Sequence, residues 1–192
     1  MRRREFITLF GGAVAAWPLA ARAQQPTKVW HIGMLDAVPR TLNTANFDAF
    51  RKGLDRLGYV EGQNLRIDYR SADGEIKRFA VLAAELVDAK VDLIVTRGTP
   101  AVMTAKAATA TIPVVMAASG EPLTSGVIAG LARPGGNVTG LSAFTNELIP
   151  KRIELLTEMV PGVAQIAFLQ NMANPVAQSQ WQELRTAQSR SG

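Results

Sequence analysis

Three groups of hydroxyls, carboxylates and small residues each follow a short apolar run in this chain. Asp36-Ala37-Val38-Pro39 follows Ile32-Gly33-Met34-Leu35. Thr96-Arg97-Gly98-Thr99-Pro100 follows Leu93-Ile94-Val95. Ser119-Gly120-Glu121-Pro122 follows Val114-Val115-Met116-Ala117-Ala118. Hydroxyls, backbone amides beside glycine and a few carboxylates suit the hydrogen-bonded capture of a small polar molecule. They are poor equipment for covalent chemistry. Ser119-Gly120 and Ser125-Gly126 lack the framing glycine of a G-x-S-x-G elbow. No G-x-G-x-x-G follows the first apolar run and no G-x-x-x-x-G-K-[ST] occurs. No cofactor is therefore expected, and Gly135-Gly136 is a turn rather than a phosphate cradle. The absence of cysteine and the single histidine, His31, exclude a structural disulfide and a Cys/His zinc cluster. His31 lies inside an apolar run with no announced nucleophile or carboxylate, so a packed, hydrogen-bonded side chain is expected. Asp36, Asp73 and Glu121 could form an acid/base set, but nothing in their spacing demands it.

The elements that must position these groups follow from periodicity. Lys28 to Leu35 reads as a first strand. Asn46 to Leu57 is a helix, with Phe47, Phe50, Leu54 and Leu57 on one face and Gly58 ending it. Leu65 to Arg70 alternates apolar and polar, as a half-exposed edge strand does. Ile76 to Ala89 is a second amphipathic helix, with Phe79, Leu82, Leu86 and Val87 inward. Leu93 to Val95 is a strand buried on both faces. Gly98 then permits a sharp turn, Thr99 is a good N-cap, Pro100 suits the first helical position, and the helix runs Ala101 to Ala108. Ile112 to Ala118 and Val138 to Ser142 complete five strands. The β-α-β-α-β-α-β-α-β alternation from Lys28 to Ser142 predicts an α/β lobe with a parallel sheet covered on both faces. A central first strand and an edge second strand give the flavodoxin-like order 2-1-3-4-5. All three polar loops then meet at one edge of the sheet. After Ser142 the pattern restarts: helix Ile149 to Val160, strand Ala164 to Leu169, loop Asn171 to Pro175, helix Val176 to Arg190.

At 192 residues, with 47% hydrophobic and 19% charged, the chain has ordinary globular composition and room for one domain and part of another. Its formal net charge of +5 misleads, because Arg2, Arg3, Arg4 and Arg22 stand against Glu5 alone in the first 23 residues. The remainder carries about +2 and no basic stripe, so no nucleic-acid partner is expected. Those first residues read as an export signal: the arginines, a broken apolar stretch from Phe6 to Ala20, and Ala21-Arg22-Ala23 as an A-x-A cleavage site. Arg3-Arg4-Glu5-Phe6-Ile7 is similar to the twin-arginine motif, leaving that route and the general secretory route both open. Without cysteine no lipid anchor is expected. The domains are then 1–23 signal, 24–142 first lobe, and 143–192 hinge and incomplete second lobe, with a periplasmic location.

Gly98-Thr99-Pro100-Ala101, Ala132-Arg133-Pro134-Gly135-Gly136-Asn137-Val138-Thr139-Gly140 and Lys151-Arg152-Ile153-Glu154-Leu155-Leu156, with the export signal and the alternating sheet, resemble one family. It is the ABC-transporter substrate-binding proteins of the tryptophan/tyrosine-binding type, with the type I periplasmic-binding fold. The resemblance implies two α/β lobes joined by a hinge, a small-molecule ligand closed between them, docking to an ABC permease in the inner membrane, and no catalysis. It implies ligand contacts at Asp36, Thr96, Gly98, Thr99, Pro100, Ser119, Glu121 and Pro122, and at Asn171 and Asn174 in the second lobe. Where relatives often carry Asp before the proline, this chain has Glu121, so the ligand stays open among aromatic or other amino acids and related carboxylates. Family members are longer, and the resemblance implies a C-terminally truncated one. The residues alone also allow a periplasmic α/β enzyme acting on a small polar substrate. A repressor's ligand domain would need a helix-turn-helix where the export signal stands.

Overall fold

The computed structural model describes residues 28–143 and 146–191; the export signal and the leader Gln24 to Thr27 lie outside them. The first described part is a five-stranded sheet, all parallel, in the order β2-β1-β3-β4-β5. The strands are β1 (Trp30–Asp36), β2 (Leu65–Ser71), β3 (Leu93–Arg97), β4 (Val114–Ser119) and β5 (Val138–Ser142). Three helices cover it: α1 (Thr44–Arg56), α2 (Phe79–Asp88) and α3 (Thr99–Ala108). The expected strand order holds, with β2 at the edge and only Leu65 of its seven residues fully buried.

Alternation along the strands separates two cores. On one face Ile32, Met34 and Val95 pack with Phe47 of α1, flanked by Phe50, Leu54, Tyr69 and Val115. On the other, Leu35, Ile94, Val114, Met116 and Val138 meet Phe79, Leu82 and Leu86 of α2 and Ala101, Val102 and Ala105 of α3. Each large side chain taken wholly out of water contributes roughly 1.5–3 kcal/mol. Gly33 belongs to this second interface. A Cβ there would lie 2.9 Å from Leu86 Cδ2, so glycine is what lets α2 approach β1 this closely.

Several boundaries differ from the sequence reading, each for a local reason. Leu57 is exposed, because it is the C-cap of α1 and has turned off the buried face. The helix expected from Ile76 opens as a 3-10 turn, Ile76–Arg78, before α2. No helix joins β4 to β5; that connection is a set of turns, closed by Ser125 N–H to Glu121 O and Ile128 N–H to Pro122 O, with Val127 and Ile128 buried in place of a helix face.

Beyond β5 the helices α4 (Ile149–Met159) and α5 (Ala177–Ser191) form as expected. The strand expected at Ala164 to Leu169 does not: the segment has no ladder partner among the described residues, and Leu169 is 100% exposed. Apolar content alone cannot make a strand, since its N–H and C=O groups need a neighbouring strand to bond. Among the described residues no helix is long and apolar enough to cross a membrane.

Candidate ligand-binding site

The strand order creates a switch point. From β1 the chain runs to α1 on one face of the sheet; from β3, its neighbour, it runs to α3 on the other. The two connections part and leave a crevice outside the carboxyl ends of β1 and β3, the usual location for ligands in such sheets. Asp36 ends β1 and Arg97 ends β3, and they join hands across this crevice. Arg97 Nε donates to Asp36 Oδ2 at 3.0 Å and Nη2 to Oδ1 at 3.1 Å. Asp36 is 1% exposed and Arg97 38%. The carboxylate also accepts from Asn43 Nδ2 at 2.9 Å and from Val38 N–H at 3.1 Å. Asn43 in turn donates to Tyr69 Oη, whose hydroxyl donates to Val38 O. A buried carboxylate needs this degree of satisfaction. The hydrogen bonds to Asp36 push the Arg97 guanidinium above its usual range against the opposing effect of burial. Burial pushes the Tyr69 phenol up.

Next to this pair stands the N-terminus of α3. Gly98 is its N-cap, with φ +88, a conformation that side-chain-bearing residues rarely adopt. Thr99 is therefore the first helical residue rather than the N-cap, the helix begins earlier than expected, and no side chain caps it. Its hydroxyl is spent on the β4 loop, lying 3.3 Å from Ser119 Oγ and accepting from Gly120 N–H at 3.2 Å. Pro100 has no N–H, so the first turn presents the N–H groups of Thr99 and Ala101 without intrahelical acceptors, an end favourable to negative charge. Thr96 Oγ1 is buried and has no hydrogen-bond partner among the described residues.

The structure thus brings Asp36, Thr96, Gly98, Thr99, Pro100, Ser119 and Glu121 to the carboxyl end of one sheet, and Pro122, next in the chain, is buried. The three candidate acid/base carboxylates do not act together. Asp36 serves Arg97, Asp73 pairs with Arg78, and Glu121 Oε1 accepts from Asn146 N–H at 2.8 Å. Hydrogen bonds from Ser71 and Arg78 hold the Asp73 carboxyl below the usual range. From the second part, Asn174 accepts from Val176 N–H at the start of α5, and Val176 packs at Gly120, where a Cβ would lie 3.4 Å from its methyls. Asn146 Nδ2 ties the same region to Ser179 Oγ at 3.0 Å. Asn171 accepts from Ala173 N–H at its side chain and from Asn174 N–H at its carbonyl, and is exposed. His31 is packed, but its Nε2 makes no hydrogen bond of good geometry among the described residues and lies 3.1 Å from Asp68 Oδ2, a carboxylate neighbour that the sequence did not announce. Burial alone would raise the Asp68 carboxyl, but Arg66 and His31 outweigh it and hold it low.

Sequence reasoning missed Arg97, Asn43 and Tyr69. A signal for Arg97 did exist: an order of 2-1-3 sets the last residue of β3 beside the last residue of β1, and one is basic while the other is acidic. Two cavities lie at the opposite end of the sheet. One of about 400 Å³ is lined by Asp48, Arg51, Tyr59 and Glu61, the other of about 240 Å³ by Trp30, Leu54, Tyr59 and Leu93. No helix N-terminus opens into either, and the topology favours the carboxyl end.

Such a sheet and switch point set a polar crest where ligands sit in open parallel sheets. Comparison with known proteins agrees: the family model for ABC transporter substrate binding proteins matches residues 32–192, and the chain belongs to that family. It is 34% identical over 122 residues to the tyrosine-binding protein of Clostridioides difficile (strain R20291), covering 64% of this chain and 35% of that protein. A conserved domain protein from Vibrio cholerae superposes with a TM-score of 0.79 at 30% identity, over 86% of this chain and 55% of that one. The ABC domain in complex with L-Trp from Streptococcus pneumonia gives 0.74 at 28%, over 85% and 54%. The chain therefore spans about a third of the curated relative and about half of these two structures. The fold is that of type I periplasmic-binding proteins.

Proposed function

We propose that this chain carries the first lobe, and the beginning of the second, of a periplasmic substrate-binding protein that delivers a small organic solute to an ABC importer. The solute is an amino acid or a related carboxylate. Residues 24–142 are the first lobe and residues from 143 on the hinge and second-lobe start. Residues 1–23 are the export signal, cut after Ala23, and the partner is a permease in the inner membrane. The observation that carries this reading is the Asp36–Arg97 pair bridging the switch point beside the uncapped α3 N-terminus, which offers guanidinium and backbone N–H donors to an anionic group. Family membership and the names of the similar proteins support an amino-acid ligand.

Thermal denaturation of the purified chain against a panel of amino acids and small carboxylates tests it. A ligand-specific rise in Tm, with the ligand recovered chemically unchanged, is the expected outcome. Stabilisation by no member of the panel overturns the reading, and conversion of the ligand to another compound favours an enzyme instead. The export step is read by mass spectrometry of periplasmic material, which should begin at Gln24; intact Met1 there would contradict cleavage.

A further inference from the structure

The guanidinium of Arg97 has more donors than Asp36 uses. Asp36 takes the side edge, formed by Nε and Nη2. Five N–H donors lie in one rigid plane, so the end edge, formed by Nη1 and the second N–H of Nη2, is left. Among the described residues nothing else accepts from Arg97, and the side chain is 38% exposed at the carboxyl end of β3. Its orientation is not free to drift, because the carboxylate that holds it is itself held by Asn43 and Val38. A pre-positioned guanidinium edge is matched to a planar, two-oxygen anion.

We infer that Arg97 is the residue that makes this site selective for ligands with a free carboxylate, and that Asp36 is its positioning residue. This rests on the functional reading above and adds to it which group of the ligand is recognised and by which side chain. Arg97 presents its end edge to the two carboxylate oxygens. Asp36 keeps that edge turned into the crevice and balances the charge when no ligand is bound. The pair also explains why a carboxylate is buried at a site that takes anions: Asp36 faces the guanidinium, with Arg97 standing between it and the ligand.

The test compares acids with their amides. L-Tryptophan and L-tyrosine, and L-tryptophanamide and L-tyrosinamide, are titrated into the unaltered chain and into Arg97→Gln and Arg97→Lys by calorimetry. A charged hydrogen-bonded contact of this kind is expected to favour the acid by roughly 10- to 100-fold. Arg97→Gln is expected to abolish that preference, and Arg97→Lys, which keeps the charge without the fork, to retain only part of it. Acid and amide binding equally to the unaltered chain, or a preference that survives in both variants, overturns the role of Arg97 while leaving a ligand-binding protein. Binding of none of the four probes overturns the functional reading along with it. If Arg97→Gln does not fold, the acid–amide comparison in the unaltered chain and Arg97→Lys decide the matter.

Discussion

Asp36 accepts four hydrogen bonds and is closed off from water, so its charge is tolerated only because Arg97, Asn43 and Val38 answer it. Asp36→Asn keeps the shape but places amide hydrogens against two donors. Arg97 can turn to water, which limits the loss to about 1–3 kcal/mol, below that of breaking a wholly buried pair. Urea unfolding should show that decrease, and an unchanged midpoint would mean the pair is ornamental. At the amino end of β3, Asp92 is held below the usual carboxylate range by the hydrogen bond from Lys28 and then by the His31 backbone N–H. Because the folded value is depressed, this contribution is present above the unfolded value of about 3.9 and is lost as pH falls through the folded value. The Tm difference between the parent chain and Asp92→Asn should therefore be full near neutrality and close under acid. A gap of constant size from pH 7 to pH 3 would contradict it.

Among the elements, β1 is the one on which the two faces depend. Gly33 admits Leu86, so Gly33→Ala should destabilise by about 1–3 kcal/mol through overpacking. The same substitution in a Leu86→Ala background should add little, and equal costs in both backgrounds would rule out the contact as the cause. The segment Ala164 to Leu169 behaves in the opposite way. Its residues belong to no strand and have no ladder partner among the described residues, so their amides should exchange with solvent deuterium far faster than those of β1 and β3. Protection equal to that of β3 would mean it pairs after all. The five strands of the sheet were legible in the sequence because each one's apolar pattern, alternating in β2 and continuous in β3, agrees with its burial. The apolar residues Ile166 and Phe168 misled because strand formation is decided by neighbours rather than by the segment. Thr99 misled differently. It is a good capping residue, but Ser119 and Gly120 compete for its hydroxyl across the loops, and no local pattern reveals that competition.

At the scale of the molecule, the topology places the loops. An order of 2-1-3-4-5 follows from one edge-like strand and one central one, and it alone sets Asp36 and Arg97 side by side. Asp36 could be proposed from sequence as a loop carboxylate. Arg97 becomes legible only once the order 2-1-3 sets it beside Asp36, because a charged residue at a strand end by itself normally means only solvent. The account therefore turns on which end of the sheet receives the ligand. A proton–nitrogen correlation spectrum of the labelled chain, titrated to millimolar L-tryptophan and L-tyrosine, reads this directly and detects weak binding. The predicted result is movement of the Gly98, Thr99, Ala101 and Gly120 amides with Trp30, Leu54 and Tyr59 still. Movement centred on Trp30, Leu54 and Tyr59 at the amino-end cavity, or no movement anywhere, would contradict a ligand site at the β1–β3 switch point.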